Sequence, residues 1–144
     1  MRYGYRRGIV HIVILTACLF VTAVAGASEV SSVATEEKLK VEKAAVCWDV
    51  VNHECIDEGI HFSSTVETLY CFTKIAGSTE TVWITHVWYY GDAERAHVPL
   101  AIKSKSWRTY SSKIIQSHET GKWHVDVLSP AGQLLKKINF EIIE

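Results

Sequence analysis

The ten residues Thr81 to Tyr90, TVWITHVWYY, decide the fold class. In an extended chain successive side chains point to opposite faces, so Val82, Ile84, His86, Trp88 and Tyr90 share one side and Trp83, Thr85, Val87 and Tyr89 the other. Both sides are bulky and rich in β-branched and aromatic residues, which suits a central strand and disfavours a helix. Trp83 and Trp88 cannot both enter the same inter-sheet core, so one of them is expected to be exposed or covered by a loop or a partner.

Downstream, Gly91-Asp92 opens a turn, and the runs His97 to Ile102 and Trp107 to Ile115 follow. Gly121 to Leu128, the turn Ser129-Pro130-Ala131-Gly132 and Leu134 to Ile143 read as a C-terminal hairpin with Trp123, Val125 and Val127 on one face. Upstream, Thr68 to Ile75 places Tyr70 and Phe72 opposite Leu69, Cys71 and Thr73, and Gly77-Ser78 turns the chain. Ala44 to Val51 begins the series, and residues 52–66, with Asn52, Asp57 and Gly59, read as a loop. Seven short runs at near-regular spacing predict an all-β domain, an Ig-like antiparallel β-sandwich of about seven strands. A small closed barrel has the same periodicity.

The chain has 144 residues, 48% hydrophobic and 22% charged, which is enough for one core. Arg2, Arg6 and Arg7 precede the apolar run Ile9 to Val24, which ends in Ala25-Gly26-Ala27. That order predicts a signal peptide over residues 1–27, cleaved after Ala27, and export to the periplasm or cell envelope. The other readings are a retained membrane anchor, since the run approaches the ~17 to 25 residues that span a bilayer, and lipidation at Cys18 within Leu15-Thr16-Ala17-Cys18. Residues 28–43, SEVSSVATEEKLKVEK, are poor in large apolar side chains and read as a flexible tether. The domain proper is placed at 44–144.

Removing residues 1–27 takes away three of the fifteen basic residues and none of the sixteen acidic ones, leaving a net charge near −4 with His neutral. No Lys/Arg stripe accompanies it, so nucleic acid is not an expected partner. Cys47, Cys55 and Cys71 remain, and an oxidising compartment would pair two of them. Sequence leaves all three pairings open. Cys47 with Cys71 is preferred because both fall in predicted strands while Cys55 falls in the loop.

The segment WRTYSSK concentrates hydrogen-bonding capacity in one strand. Trp107, Arg108, Ser111, Ser112 and Lys113, with His86, Trp88 and Tyr90 from the central strand, are the candidate ligand-binding residues. Arg108 would grip a carboxylate or phosphate in two-pronged fashion, or else pair with an acidic neighbour of the same chain. Five tryptophans follow the signal peptide, Trp48, Trp83, Trp88, Trp107 and Trp123, and any pair exposed together would stack on sugar rings. His86, His97, His118 and His124 form no recognised metal spacing, and Ser111-Ser112 lacks a nucleophile elbow. Neither a catalytic set nor a metal or cofactor site is expected.

The blocks LYCFTKI (Leu69 to Ile75), THVWYY (Thr85 to Tyr90), SWRTYSSKII (Ser106 to Ile115) and GKWHVDVLSPAGQLLKKINFEI (Gly121 to Ile142) resemble the bacterial family called domain of unknown function 2914. The resemblance runs from about Ala44 to the C-terminus. It implies a bacterial envelope domain and no known reaction. The resulting expectation is a non-catalytic binding or structural module, with an envelope protein or a glycan as partner and possible membrane attachment through the N-terminal segment. A carbohydrate-recognition module using exposed Trp and Tyr is the alternative.

Overall fold

A computed structural model describes residues 39–144. The expected signal peptide and residues 28–38 of the expected tether lie outside the described residues. Nine strands follow in order: β1 (Lys40–Val51), β2 (Glu54–Gly59), β3 (His61–Ser63), β4 (Thr68–Ala76), β5 (Val82–Tyr90), β6 (Ala93–Ile102), β7 (Ser106–Ile114), β8 (Gly121–Leu128) and β9 (Leu134–Ile143). They form two sheets, one ordered β2-β1-β4-β7 and the other β3-β9-β8-β5-β6. Every pairing is antiparallel except that of β3 with β9. The sandwich read from the alternation is therefore present, with two strands more than the seven expected.

Both additional strands lie in residues 52–66, where a loop was expected. Asn52 and His53 adopt φ of 51° and 59°, and Val51 pairs with Glu54 across them. Two positive φ values in succession belong to a tight hairpin turn that most often carries Asn-Gly. Here His53 takes the place of glycine, and β2 itself, ECIDEG, has no apolar alternation. β3 is only three residues long, and its anchor is Phe62, buried at 3% exposure. Strand β1 also begins at Lys40 rather than Ala44, so the last four residues assigned to the tether belong to the strand, with Lys40, Val41 and Lys43 paired to β4 and Glu42 in a bulge.

The cysteine expectation is corrected. Cys47 is joined to Cys55, and Cys71 is a buried free thiol. The register explains why Cys47 and Cys71 do not meet. Val46 pairs with Cys71 and Cys47 with Tyr70, so Cys71 shares a face with Val46 while Cys47 points to the opposite side of the same sheet. Placement of both cysteines in strands was the wrong criterion, because it ignores which face of the sheet each one takes. The Cα atoms of Cys47 and Cys55 are 5.8 Å apart, within the β1–β2 hairpin.

Between the sheets the inward side chains form two apolar clusters. One holds Val46, Leu69, Cys71, Trp88, Trp123, Val125 and Phe140; the other holds Leu39, Ile75, Ile84, Ile102 and Val127. Phe140 sits edge-on to Trp88 and stacks with Trp123, centroids 6.1 and 6.0 Å apart. Of the two tryptophans on β5, Trp88 is fully buried and Trp83 is 56% exposed, which is the division the alternation requires.

Trp123→Ala empties a large, fully enclosed site and is expected to lower unfolding free energy by ~3 to 5 kcal/mol in denaturant titration; a loss under about 1 kcal/mol would mean that this face is not core. Peptide mapping of the unreduced protein is expected to recover Cys47 linked to Cys55 and Cys71 unlinked, and a Cys47–Cys71 peptide would contradict the register above.

Candidate functional site

The expected site residues divide into a buried group and a scattered one. His86 and Trp88, two apart on β5, face the same interior, and Ser111 of β7 meets them from the opposite sheet. His86 Nδ1 lies 2.9 Å from Ser111 Oγ, Trp88 Nε1 donates to the same oxygen at 3.0 Å, and His86 Nε2 lies 3.2 Å from Thr73 Oγ1 on β4. Thr73 in turn donates to the Thr109 carbonyl at 3.5 Å. His86, Trp88 and Thr73 have no exposed surface and Ser111 has 4%.

One arrangement of protons satisfies this whole layer. Trp88 N–H donates to Ser111, Ser111 O–H to His86 Nδ1, His86 Nε2–H to Thr73, and Thr73 O–H to the Thr109 carbonyl. The imidazole is then neutral, with its proton on Nε2. A second ring proton would make Ser111 accept from both Trp88 and His86 and would strand its own hydroxyl hydrogen. Burial also disfavours the charged ring and lowers the His86 pKa to about 4. Burial likewise pushes the Cys71 thiol well above its usual range, so this cysteine stays protonated and inert.

The remaining candidates lie elsewhere. Tyr90 donates its hydroxyl to the Thr120 carbonyl at 2.8 Å, with the Arg95 guanidinium 5.3 Å from its ring centroid. Arg95 also meets the nearly buried Glu119 carboxylate at 3.5 Å, and Glu119 accepts from the Gln116 N–H. Trp107 packs against the second apolar cluster. Arg108 pairs with Glu54 of β2 at 3.1 Å, joining the two outermost strands of its sheet, and this partly exposed pair contributes little to stability. Lys113 turns to the neighbouring Ile114 carbonyl, and Ser112 is exposed. These eight residues do not converge on one accessible surface. Among the described residues no three His, Cys, Asp or Glu side chains come together to hold a metal ion.

A different region is open to solvent. Beyond the last β1–β4 pair, Cys47 with Tyr70, a depression of about 550 Å³ is lined by Trp48, Asp49, Thr65, Glu67, Thr68 and Tyr70. Trp48 is 44% exposed. None of these residues was singled out as a site residue from sequence, because the two lining segments are separated by β2 and β3, which had been read as one loop. Trp48 and Trp83 belong to different sheets and form no shared platform.

Fold and register define the class: an all-β two-sheet sandwich with one polar layer enclosed in its core. Residues 82–142 match the family model described as Protein of unknown function (DUF2914), a stretch that runs from β5 into β9. The match takes in three of the four sequence blocks quoted above and begins after LYCFTKI. Among solved structures the chain is similar to a mutant β-glucosidase from Listeria innocua, solved in complex with laminaribiose, at 11% identity and a TM-score of 0.43. The likeness covers 74% of this chain and 16% of that one, and it carries nothing about activity. No curated protein matches the chain.

The His86 layer makes the fold sensitive to acid. Above pH ~6.5 the ring is neutral both folded and unfolded, and the layer contributes fully. As pH falls from ~6.5 towards 4 the unfolded chain takes up a proton that the folded one refuses, so stability drops by ~3 kcal/mol across that window. His86→Gln is expected to be less stable at neutral pH but to lose that much less between pH 6.5 and 4. Parallel pH–stability curves for the two proteins would contradict the assignment.

Proposed function

We propose that the mature chain is an exported, non-catalytic binding module that meets its ligand or partner at the Trp48–Tyr70 depression. The observation that carries this reading is a contrast of exposure. The hydrogen-bonding side chains most suited to chemistry, His86 and Ser111, are enclosed and committed to each other, whereas Trp48 presents its ring to solvent beside hydroxyls and carboxylates. Convergent polar groups around aromatic surface are the usual make-up of a recognition site.

Export is supported by two independent features. The N-terminal charge, apolar run and Ala-Gly-Ala exit suit a removable signal peptide. The Cys47–Cys55 disulfide suits an oxidising compartment outside the cytosol. Against catalysis stands the burial of the only histidine that shares hydrogen bonds with hydroxyl side chains among the described residues.

The test is site-specific photo-crosslinking in bacterial cells expressing the full chain with its own N-terminal segment. A photoreactive phenylalanine at position 48 is expected to yield an adduct that the same residue at position 83, on the other sheet, does not. Absence of any adduct from position 48 would remove the depression from the proposal.

A further inference from the structure

We infer that the end of the sandwich where the chain enters β1 docks on an anionic membrane surface, with Trp83 and Leu134 entering the headgroup layer and a set of unpaired lysines meeting the lipid phosphates. This surface lies at the opposite end of the strands from the Trp48 depression and is independent of the binding reading above. Register brings its parts together. Lys40 pairs with Ala76 and Ala76 with Ser106 in one sheet, Val82 pairs with Ile102 in the other, and the Gly77 N–H donates to the Lys105 carbonyl between the connecting segments. Leu39 is buried here beside Ile75 and Ile102.

On the outer face of the five-stranded sheet this end is apolar. Ile84 points into the core, so Trp83 points outward. Thr85, on the same outer side, pairs with Pro99 and with Leu128, and Leu128 pairs in turn with Leu134. Trp83 is 56% exposed and Leu134 54%. The alternation that buries Trp88 thus forces Trp83 into solvent, where no other part of the described domain covers it.

Charge completes the surface. Lys40, Lys103, Lys105 and Lys136 are exposed around this end, and among the described residues none of them forms an ion pair. Lys40 lies near Glu42, but that carboxylate is held by Lys74. Glu80 is the one acidic residue in the three connections here, 77–81, 103–105 and 129–133. At the far end the sign is reversed, with Asp49 and Glu67 beside Trp48, Asp92 in the β5–β6 turn and Glu144 after β9. The mature charge near −4 therefore conceals a basic end, and an anionic surface attracts that end and repels the other.

Lysine around exposed tryptophan fits lipid better than protein. Indole rings favour the level of the headgroups, lysine extends its amine to the phosphates, and protein interfaces are depleted in lysine. A second copy seated on the same patch would bring the lysines of both copies together. Nucleic acid offers phosphates but no apolar layer for Trp83 and Leu134. The N-terminal sequence agrees in direction, since residues 25–38, fourteen in all, separate the apolar run ending at Val24 from Leu39 and reach ~50 Å at most. Any membrane attachment of that run meets the basic end first.

The test uses the full chain purified from expressing cells, with vesicles of brominated phosphatidylcholine, alone or in equal mixture with phosphatidylglycerol. Bromine quenches tryptophan that touches the bilayer. Emission is expected to fall with the mixed vesicles in the parent and in Trp48→Phe, and to fall little in Trp83→Phe or with phosphatidylcholine alone. Lys103→Gln combined with Lys105→Gln is expected to raise the lipid concentration for half-quenching about tenfold at an unchanged melting temperature, and salt to raise it in the parent. Quenching that Trp83→Phe leaves intact, or that ignores phosphatidylglycerol and the two lysines, would overturn the proposal. Self-association without lipid that Trp83→Phe abolishes would also overturn it and give the surface to a second copy. A lipid at position 83 adds the mass of one lipid only, so the macromolecular adduct expected at position 48 is read separately.

Discussion

Placing an imidazole in the middle of an apolar core is the constraint around which this sandwich is arranged. A buried ring with two polar nitrogens is tolerable only if both are satisfied. Their partners, Ser111 and Thr73, come from the opposite sheet. The layer therefore joins β5 to β4 and β7 and sets where the two sheets stand relative to each other. A slip of one residue in β5 would turn His86 to the outer face and bring Val87 in, leaving Ser111, Thr73 and Trp88 without their partner. On either side of this layer the core is apolar, with Trp88, Trp123 and Phe140 in one cluster and Ile75, Ile84 and Ile102 in the other. The polar layer thus supplies register, and the flanking clusters supply most of the burial.

The same arrangement encloses the side chains most suited to chemistry. Residues that in a cleft would suggest chemistry are consumed in holding the sheets together. The depression that stays open to solvent lies where β1 outruns β4, and its lining side chains are an exposed indole, a phenol, two threonines and two carboxylates. The Cys47–Cys55 disulfide closes the β1–β2 hairpin immediately before Trp48 and so steadies the strand that presents it. A family of unknown function is matched over β5 to β9, whereas Trp48, Asp49 and Thr65 to Tyr70 lie outside the matched residues. The proposed surface is accordingly a property of this chain and is not inherited from the family match.

Much of the fold was legible because alternation is a local property. Each of the seven runs read from sequence is a strand, and β8 and β9 have the bounds expected of them. The failures have a common cause in segments too short or too polar to alternate. β2 carries three acidic residues among its six, β3 has three residues, and the turn between β1 and β2 uses Asn-His where glycine would have announced it. The disulfide was missed for the same reason, since without β2 there was no hairpin to bring Cys55 to Cys47. In the site, His86, Trp88 and Ser111 were recognisable as polar residues on strands of matching phase. That they face each other across the core, and that Thr73 completes the layer, depends on inter-sheet register, which no single-strand pattern contains. The depression was hidden more completely, because its walls come from two segments separated by strands that sequence did not show.

In the hydrogen-bond order that joins the sheets, His86 is neutral, enclosed and protonated on Nε2. Nitrogen-detected NMR of the ring, recorded on the folded protein between pH 7 and 5, tests this directly. The expected spectrum is one Nε2–H tautomer that does not change across the range. A ring that titrates near pH 6.5, or one that carries its proton on Nδ1, would contradict both the hydrogen-bond order and the sheet arrangement built on it.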